Sequence, residues 1–99
     1  MESFSASQSG EQLTLFINQR LDWRSATDFA RLYNDYPANA YVVDMAQCEY
    51  LDSSGLGSLL ELYNRAKLAG GKVLIKHCNE KVTDIFELTG LNQLFELEH

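Results

Sequence analysis

Asp52-Ser53-Ser54-Gly55-Leu56-Gly57 is the stretch of this sequence whose residue types are equipped for chemistry. Two hydroxyls and a carboxylate fall between an apolar run, Tyr41-Val42-Val43-Asp44-Met45, and a segment with apolar residues at 56, 59, 60 and 63. The first pattern is that of a buried strand and the second that of one helical face. The serines therefore stand where a strand ends and a helix begins. A helix start offers unpaired N–H groups and the positive end of its dipole. A hydroxyl there caps the helix, and a phosphate there meets donors already aimed at it. Capping needs one side chain and contributes about 1 kcal/mol. Here three candidates are adjacent, and Gly55 and Gly57 sit in the first turns at about 1 kcal/mol each relative to Ala. Small residues leave that start open to close approach, the pattern of a docking surface.

Other chemistries fit less well. A nucleophilic serine needs a base, usually an oriented histidine, and an oxyanion hole. His77 is the one interior histidine, the motif is not Gly-x-Ser-x-Gly, and the chain is short for a walled pocket. The expectation is a protein that is not an enzyme, with no catalytic residues, His77 being an exposed strand-end residue. Asp22, Asp44 and Asp52 read as solvated or structural carboxylates rather than as metal ligands. Cys48 and Cys78 lie at a spacing no zinc motif uses and read as small buried hydrophobes. No cofactor and no metal is expected.

The elements that must position the motif come from a single domain of 99 residues. Hydrophobic content of 45% is that of a globular chain, and the net charge of −6 argues against nucleic acid as a partner. No apolar run reaches the ~20 residues of a membrane span and no signal pattern opens the chain, so no membrane insertion and a cytoplasmic location are expected. Residues 1–10 read as a weakly ordered start or an edge strand, and residues 12–18 alternate as a second strand joined to it by a hairpin. Residues 19–24 form a connection. Ser25 and Asp28 then open a helix with a capping-box-like pair, Ala26, Phe29, Ala30, Tyr33 and Tyr36 form its inner face, and Pro37 ends it. The strand at 41–45, a connection at 46–51 and a helix from Ser54 to about residue 69 follow, stopped by Gly70-Gly71. Residues 72–76 form a further strand. Asn79 caps a third helix with Val82, Ile85, Phe86 and Thr89 inward and Gly90 as its stop. Leu94-Phe95 form a last short strand, and residues 97–99 read as an expression-tag remnant. The order β-β-α-β-α-β-α-(β) predicts an α/β fold. Its mixed sheet has four to five strands, an antiparallel opening hairpin and then parallel βαβ units, with about three helices packed on it. Ligands meet such sheets at the carboxyl ends of the parallel strands. This brings Asp22 and Trp23 toward Ser53.

Val43-Asp44-Met45, Leu51-Asp52-Ser53-Ser54-Gly55-Leu56-Gly57, Gly70-Gly71 and Thr89-Gly90-Leu91 together resemble the STAS domains of bacterial anti-sigma factor antagonists. The resemblance runs from about Leu13 to Phe95. It implies a single STAS domain, and it implies that Ser53, just after the aspartate, is phosphorylated by a serine kinase that is also the anti-sigma factor. The unphosphorylated form would bind that partner and release the sigma factor, and a PP2C-type phosphatase would restore it. The partner-binding set implied is Asp22, Trp23, Asp52, Ser53, Ser54, Gly55, Leu56 and Gly57. Within it Asp22 belongs to a family Leu-Asp pair, Ser54 is the cap, and Gly55 and Gly57 are spacers. Trp23 reads equally as an exposed anchor or as a packing residue. Gln19-Arg20 departs from the family's Gly-acidic pair. The rival readings are a STAS subunit docking on the ATPase of a lipid-handling ABC transporter, and a partner-switch regulator of a non-sigma pathway.

Overall fold

The computed structural model describes residues 4–36 and 38–98. Pro37 and His99 lie outside them, as do the first three residues. The chain runs β1 (Phe4–Ser9), β2 (Gln12–Leu21), α1 (Ala26–Asp35), β3 (Ala40–Leu51), α2 (Ser53–Leu68), β4 (Val73–Lys76), α3 (Glu80–Thr89), a 3-10 turn (Leu91–Gln93) and β5 (Glu96–Glu98). The five strands lie in the sheet in the order of the sequence. β1 pairs antiparallel with β2, and every later pairing is parallel. Right-handed crossovers advancing in one direction put the helices on one face. Burial follows suit: Leu13, Leu15, Ile17, Tyr41, Val43, Val73 and Ile75 are buried toward the helices, with Phe29, Leu59, Leu62, Val82 and Phe86 packed on them. On the opposite face Phe16 is exposed and Leu74 half-buried.

Several elements depart from the sequence reading. β2 runs three residues past Asn18, and β3 continues through 46–51, which had read as a connection. The cause is two register shifts: β3 uses twelve residues beside ten of β2, with extra residues between the pairs Phe16↔Asp44 and Asn18↔Gln47, and again before Arg20↔Tyr50. Bulges break the two-residue alternation that marks a strand. The buried residues there, Met45, Cys48 and Leu51, are three apart instead. The last strand is Glu96–Glu98 rather than Leu94-Phe95, with Leu97 opposite Ile75. Ser25 does not cap α1 through its side chain, because that hydroxyl is engaged with Asp22. The buried face of α2 is Gly55, Ser58, Leu59, Leu62 and Ala66, rotated from the expected stripe of 56, 59, 60 and 63. Gly70 at φ 76 and Gly90 at φ 76 end α2 and α3 in the left-handed region that glycine favours, as their positions predict.

Candidate functional site

The site is assembled where β2 and β3 end side by side, Leu21 opposite Leu51. Both strands stop there, and the chain leaves β3 through a single residue, Asp52. The cap of α2 is Asp52, not Ser54. Its backbone is extended and its Oδ1 accepts from the Gly55 N–H at 2.9 Å. Its Oδ2 accepts from the Trp23 N–H at 3.3 Å, and its own N–H donates to the Leu21 carbonyl. One carboxylate thus starts the helix and fastens the loop between β2 and α1 beside it. A serine at position 52 has one oxygen for both tasks; aspartate has two.

Ser53 and Ser54 are the first two helical residues, and both are exposed. The Ser54 carbonyl accepts from the Ser58 hydroxyl. Gly55 is buried, and a Cβ there would overlap the Leu21 carbonyl oxygen and come within 2.7 Å of Leu51 Cδ1. Its smallness serves internal packing of α2 onto the strand ends. Gly57 differs: a Cβ there would meet nothing within 4 Å. Leu56 is half-buried.

Trp23 stands 70% exposed, with the Arg24 guanidinium 5.8 Å from its ring centroid. Asp22 is held inside the loop at 4% exposure. Its N–H donates to Ser25 Oγ, while its carboxylate accepts from the Arg24 N–H at 3.0 Å and from Arg20 Nε at 3.1 Å. Burial pushes the Asp22 carboxyl up. The donors from Arg24, Arg20 and Ser25 outweigh that and hold it below the usual carboxylate range. Asp22 is therefore the organiser of the loop that presents Trp23, and its carboxylate does not face outward.

Sequence reasoning passed over Arg24 and Tyr50 and met Arg20 only as part of a pair that departs from the family pattern. Arg20 lies 4.7 Å over the Tyr50 ring, and both residues are exposed. Their register pairing across the second bulge brings them together, and a bulge has no clear sequence signature. Asp22-Trp23-Arg24-Ser25 did carry a signal, since Asp and Ser three apart mark a turn; the Ser25 N–H donates to the Asp22 carbonyl at 3.1 Å.

The other chemistry-bearing residues go elsewhere. His77, exposed and at φ 63, has Nδ1 3.1 Å from Asp44 Oδ1, which also accepts from the Ala46 N–H. Asp22, Asp44 and Asp52 each have different partners. Among the described residues no group of three His, Cys, Asp or Glu side chains gathers. Cys48 and Cys78 are buried free thiols, and burial, with the neighbouring Cys48, pushes Cys78 up to about 11. No described helix is long and apolar enough to cross a membrane.

Residues 4–97 match the family described as "Mlab, STAS domain". The chain belongs to the STAS domain family. A STAS-domain containing protein of Pseudomonas aeruginosa, PA14_20770, is 33% identical to it over 93 residues, covering 92% of each chain. The anti-sigma-B factor antagonist of Bacillus subtilis is 29% identical over 48 residues, which span 48% of this STAS domain and 44% of that protein. The solved structure of the anti-sigma factor antagonist SpoIIAA in its unphosphorylated form superposes with a TM-score of 0.82 at 16% identity, covering 95% of this chain and 86% of that one. The phosphorylated form of SpoIIAA from Bacillus superposes with a TM-score of 0.70 at 14% identity, covering 95% and 89%. At these identities the superpositions establish the fold.

Proposed function

We propose that this STAS domain is an anti-sigma factor antagonist, a binding protein without catalysis of its own, and that phosphorylation of Ser53 controls its partner. The observation that carries the reading is the juxtaposition of an exposed serine at the start of α2 with an exposed tryptophan tied to the same cap. Trp, Tyr and Arg dominate the energetic centres of protein interfaces, and Trp23, Arg24, Arg20 and Tyr50 supply all three types at this corner. The presence of relatives named as anti-sigma factor antagonists supports the choice of partner.

The physical account of the switch is local. A phosphate brings about −1.5 to −2 charges. At the first turn of a helix it gains N–H donors and dipole stabilisation on the order of 1 kcal/mol, and the Asp52 carboxylate next to it offsets part of that. The fold is retained. A partner surface shaped for a neutral hydroxyl meets a dianion, which weakens a dry contact by several kcal/mol. Binding changes and folding does not. The partner in this reading is an anti-sigma factor that is also the serine kinase, a PP2C-type phosphatase reverses the modification, and the domain works in the cytoplasm.

The test is capture from source cells on wild-type, Ser53→Asp and genuinely phosphorylated baits, with captured proteins identified by mass spectrometry. Wild type is expected to retain a kinase-like anti-sigma factor that the phosphorylated bait loses, with thermal unfolding nearly unchanged. Capture of a transporter ATPase by all three baits would overturn the reading.

A further inference from the structure

We propose that the helix-free face of the sheet carries a small-molecule site for a primary organic ammonium, built at the first bulge between β2 and β3. This goes beyond the proposed function and does not depend on it.

The bulge makes the site. Between the pairs Phe16↔Asp44 and Asn18↔Gln47, β3 has two residues, Met45 and Ala46, where β2 has only Ile17. Met45 is buried toward the helices, while Ala46 and Gln47 in succession are exposed. A bulge bends its strand and re-aims side chains, and bulges are over-represented beside active sites. Here the strands around it enclose an open cavity of about 510 Å³, within the range of small-ligand sites. Phe16, 39% exposed, supplies an aromatic wall, and the small side chain of Ala46 leaves room next to it. Ser5, Asn18 and Gln47 add a hydroxyl and two amides to the lining.

Asp44 lines the same cavity and gives it its charge, with a side chain 18% exposed. One of its oxygens is already engaged. Oδ1 accepts from the Ala46 N–H at 3.0 Å and lies 3.1 Å from His77 Nδ1. His77 approaches from the β4 side with φ 63, a left-handed backbone that non-glycine residues adopt at a cost and that clusters at functional sites. Among the described residues nothing donates to Oδ2. Lys76 stands opposite Asp44 in the register, but its Nζ lies 3.9 Å from Glu98 Oε1 and, among the described residues, it forms no ion pair with Asp44. A fixed carboxylate oxygen, a hydroxyl and two amide carbonyls are acceptors, and a primary ammonium has three donors and no acceptor. The face of the Phe16 ring attracts the same cation. No basic side chain among the described residues lines the cavity, and a net charge of −6 disfavours an anion. Charge complementarity therefore selects an ammonium carried on a short apolar body.

The probe is phenethylammonium chloride, titrated into the isotope-labelled full chain at neutral pH and physiological salt, with backbone amide shifts read by NMR. Saturable shifts centred on Asn18, Ala46 and Gln47 are expected, with a Kd on the order of 1 mM for so small a ligand. The neutral isostere phenethyl alcohol should bind about tenfold more weakly to the unaltered protein. Asp44→Asn, whose amide oxygen can still accept from the Ala46 N–H, should weaken the ammonium by a similar factor. Phe16→Ser keeps the carboxylate and should weaken it about two- to fivefold. Circular dichroism checks that both variants stay folded, and the comparison with the alcohol needs neither of them. No saturable shift up to about 20 mM, equal binding of the alcohol, or binding undiminished in a folded Asp44→Asn overturns the proposal. So do shifts centred on the acidic residues of α3, which would mean attraction to negative surface alone.

Discussion

The starts of α2 and α3 use the same device for different ends. Asp52 caps α2 by accepting from the N–H three residues on; Asn79 caps α3 in the same way, Oδ1 to the Val82 N–H at 2.8 Å. Each cap also reaches sideways, one to the loop after β2 and the other to β3. Asp52 holds the Trp23 N–H, and Asn79 Nδ2 donates to the Cys48 carbonyl at 3.0 Å. Past the cap they diverge. α3 places Glu80 in its first turn, so an anion already answers its dipole, and the residue before the cap is the buried, protonated Cys78. α2 has no acidic residue in its first turn; it has two exposed serines there, with an exposed tryptophan alongside. The two ends thus differ in where the anion sits, in the cap itself at α2 and one residue past a neutral cap at α3, and in the exposed tryptophan that the α2 cap holds beside it.

The largest effect that would break this comparison is at Gly55. Gly55→Ala forces a methyl against the Leu21 carbonyl and should cost about 3 kcal/mol, whereas Gly57→Ala, in open space inside the helix, should be neutral or stabilise by up to about 1 kcal/mol. Urea unfolding of both variants measures the difference. If the two behaved alike, the separation of an internal from an external glycine would fail.

Next come the caps. Asn79→Ala should cost about 1–2 kcal/mol of stability and leave partner capture intact. Asp52→Ala should cost a similar amount but also free the 22–25 loop, which would show as faster amide exchange at Trp23. Equal exchange at Trp23 in both variants would mean that the capping carboxylate does not organise the 22–25 loop.

A smaller effect sharpens the comparison through pH. Asp22 has a folded pKa below its ordinary 3.8, so its stabilisation is fully present above that value and is lost as pH falls through the folded value. The stability difference between wild type and Asp22→Asn should therefore be constant from neutral pH down to about 5 and shrink as the pH falls below the ordinary carboxyl value of 3.8. A difference that grows on acidification would reverse the assigned sign.

Much of this architecture was legible in the sequence because its signals are local. Glycine at 70 and 90, asparagine at 79 and the apolar spacing of α3 each act within one turn of chain. The bulged half of β3 was not legible, since two extra residues turn its alternation into a three-residue spacing that reads as neither strand nor amphipathic helix. The site divides the same way. Asp52, Ser53 and Ser54 announce a helix start, but which of them caps it depends on the second acceptor that Trp23 requires, a residue 29 positions away. The burial of Asp22 and the rotation of the α2 face, forced by the approach of Gly55 to Leu21, are likewise decided by tertiary contacts.

The strand order, identical to the order of the sequence, bears on how the molecule assembles. No strand waits for a later one to be inserted beside it, so each new βαβ unit is added to an existing edge, and the sequence distance closed at each step is one crossover. The corner that carries Trp23 and Ser53 draws on β2, β3 and the first turns of α2, all encoded before β4, α3 and β5. During synthesis its pieces thus emerge before the last two strands and α3, so the corner is encoded ahead of the half of the sheet that closes the fold behind it.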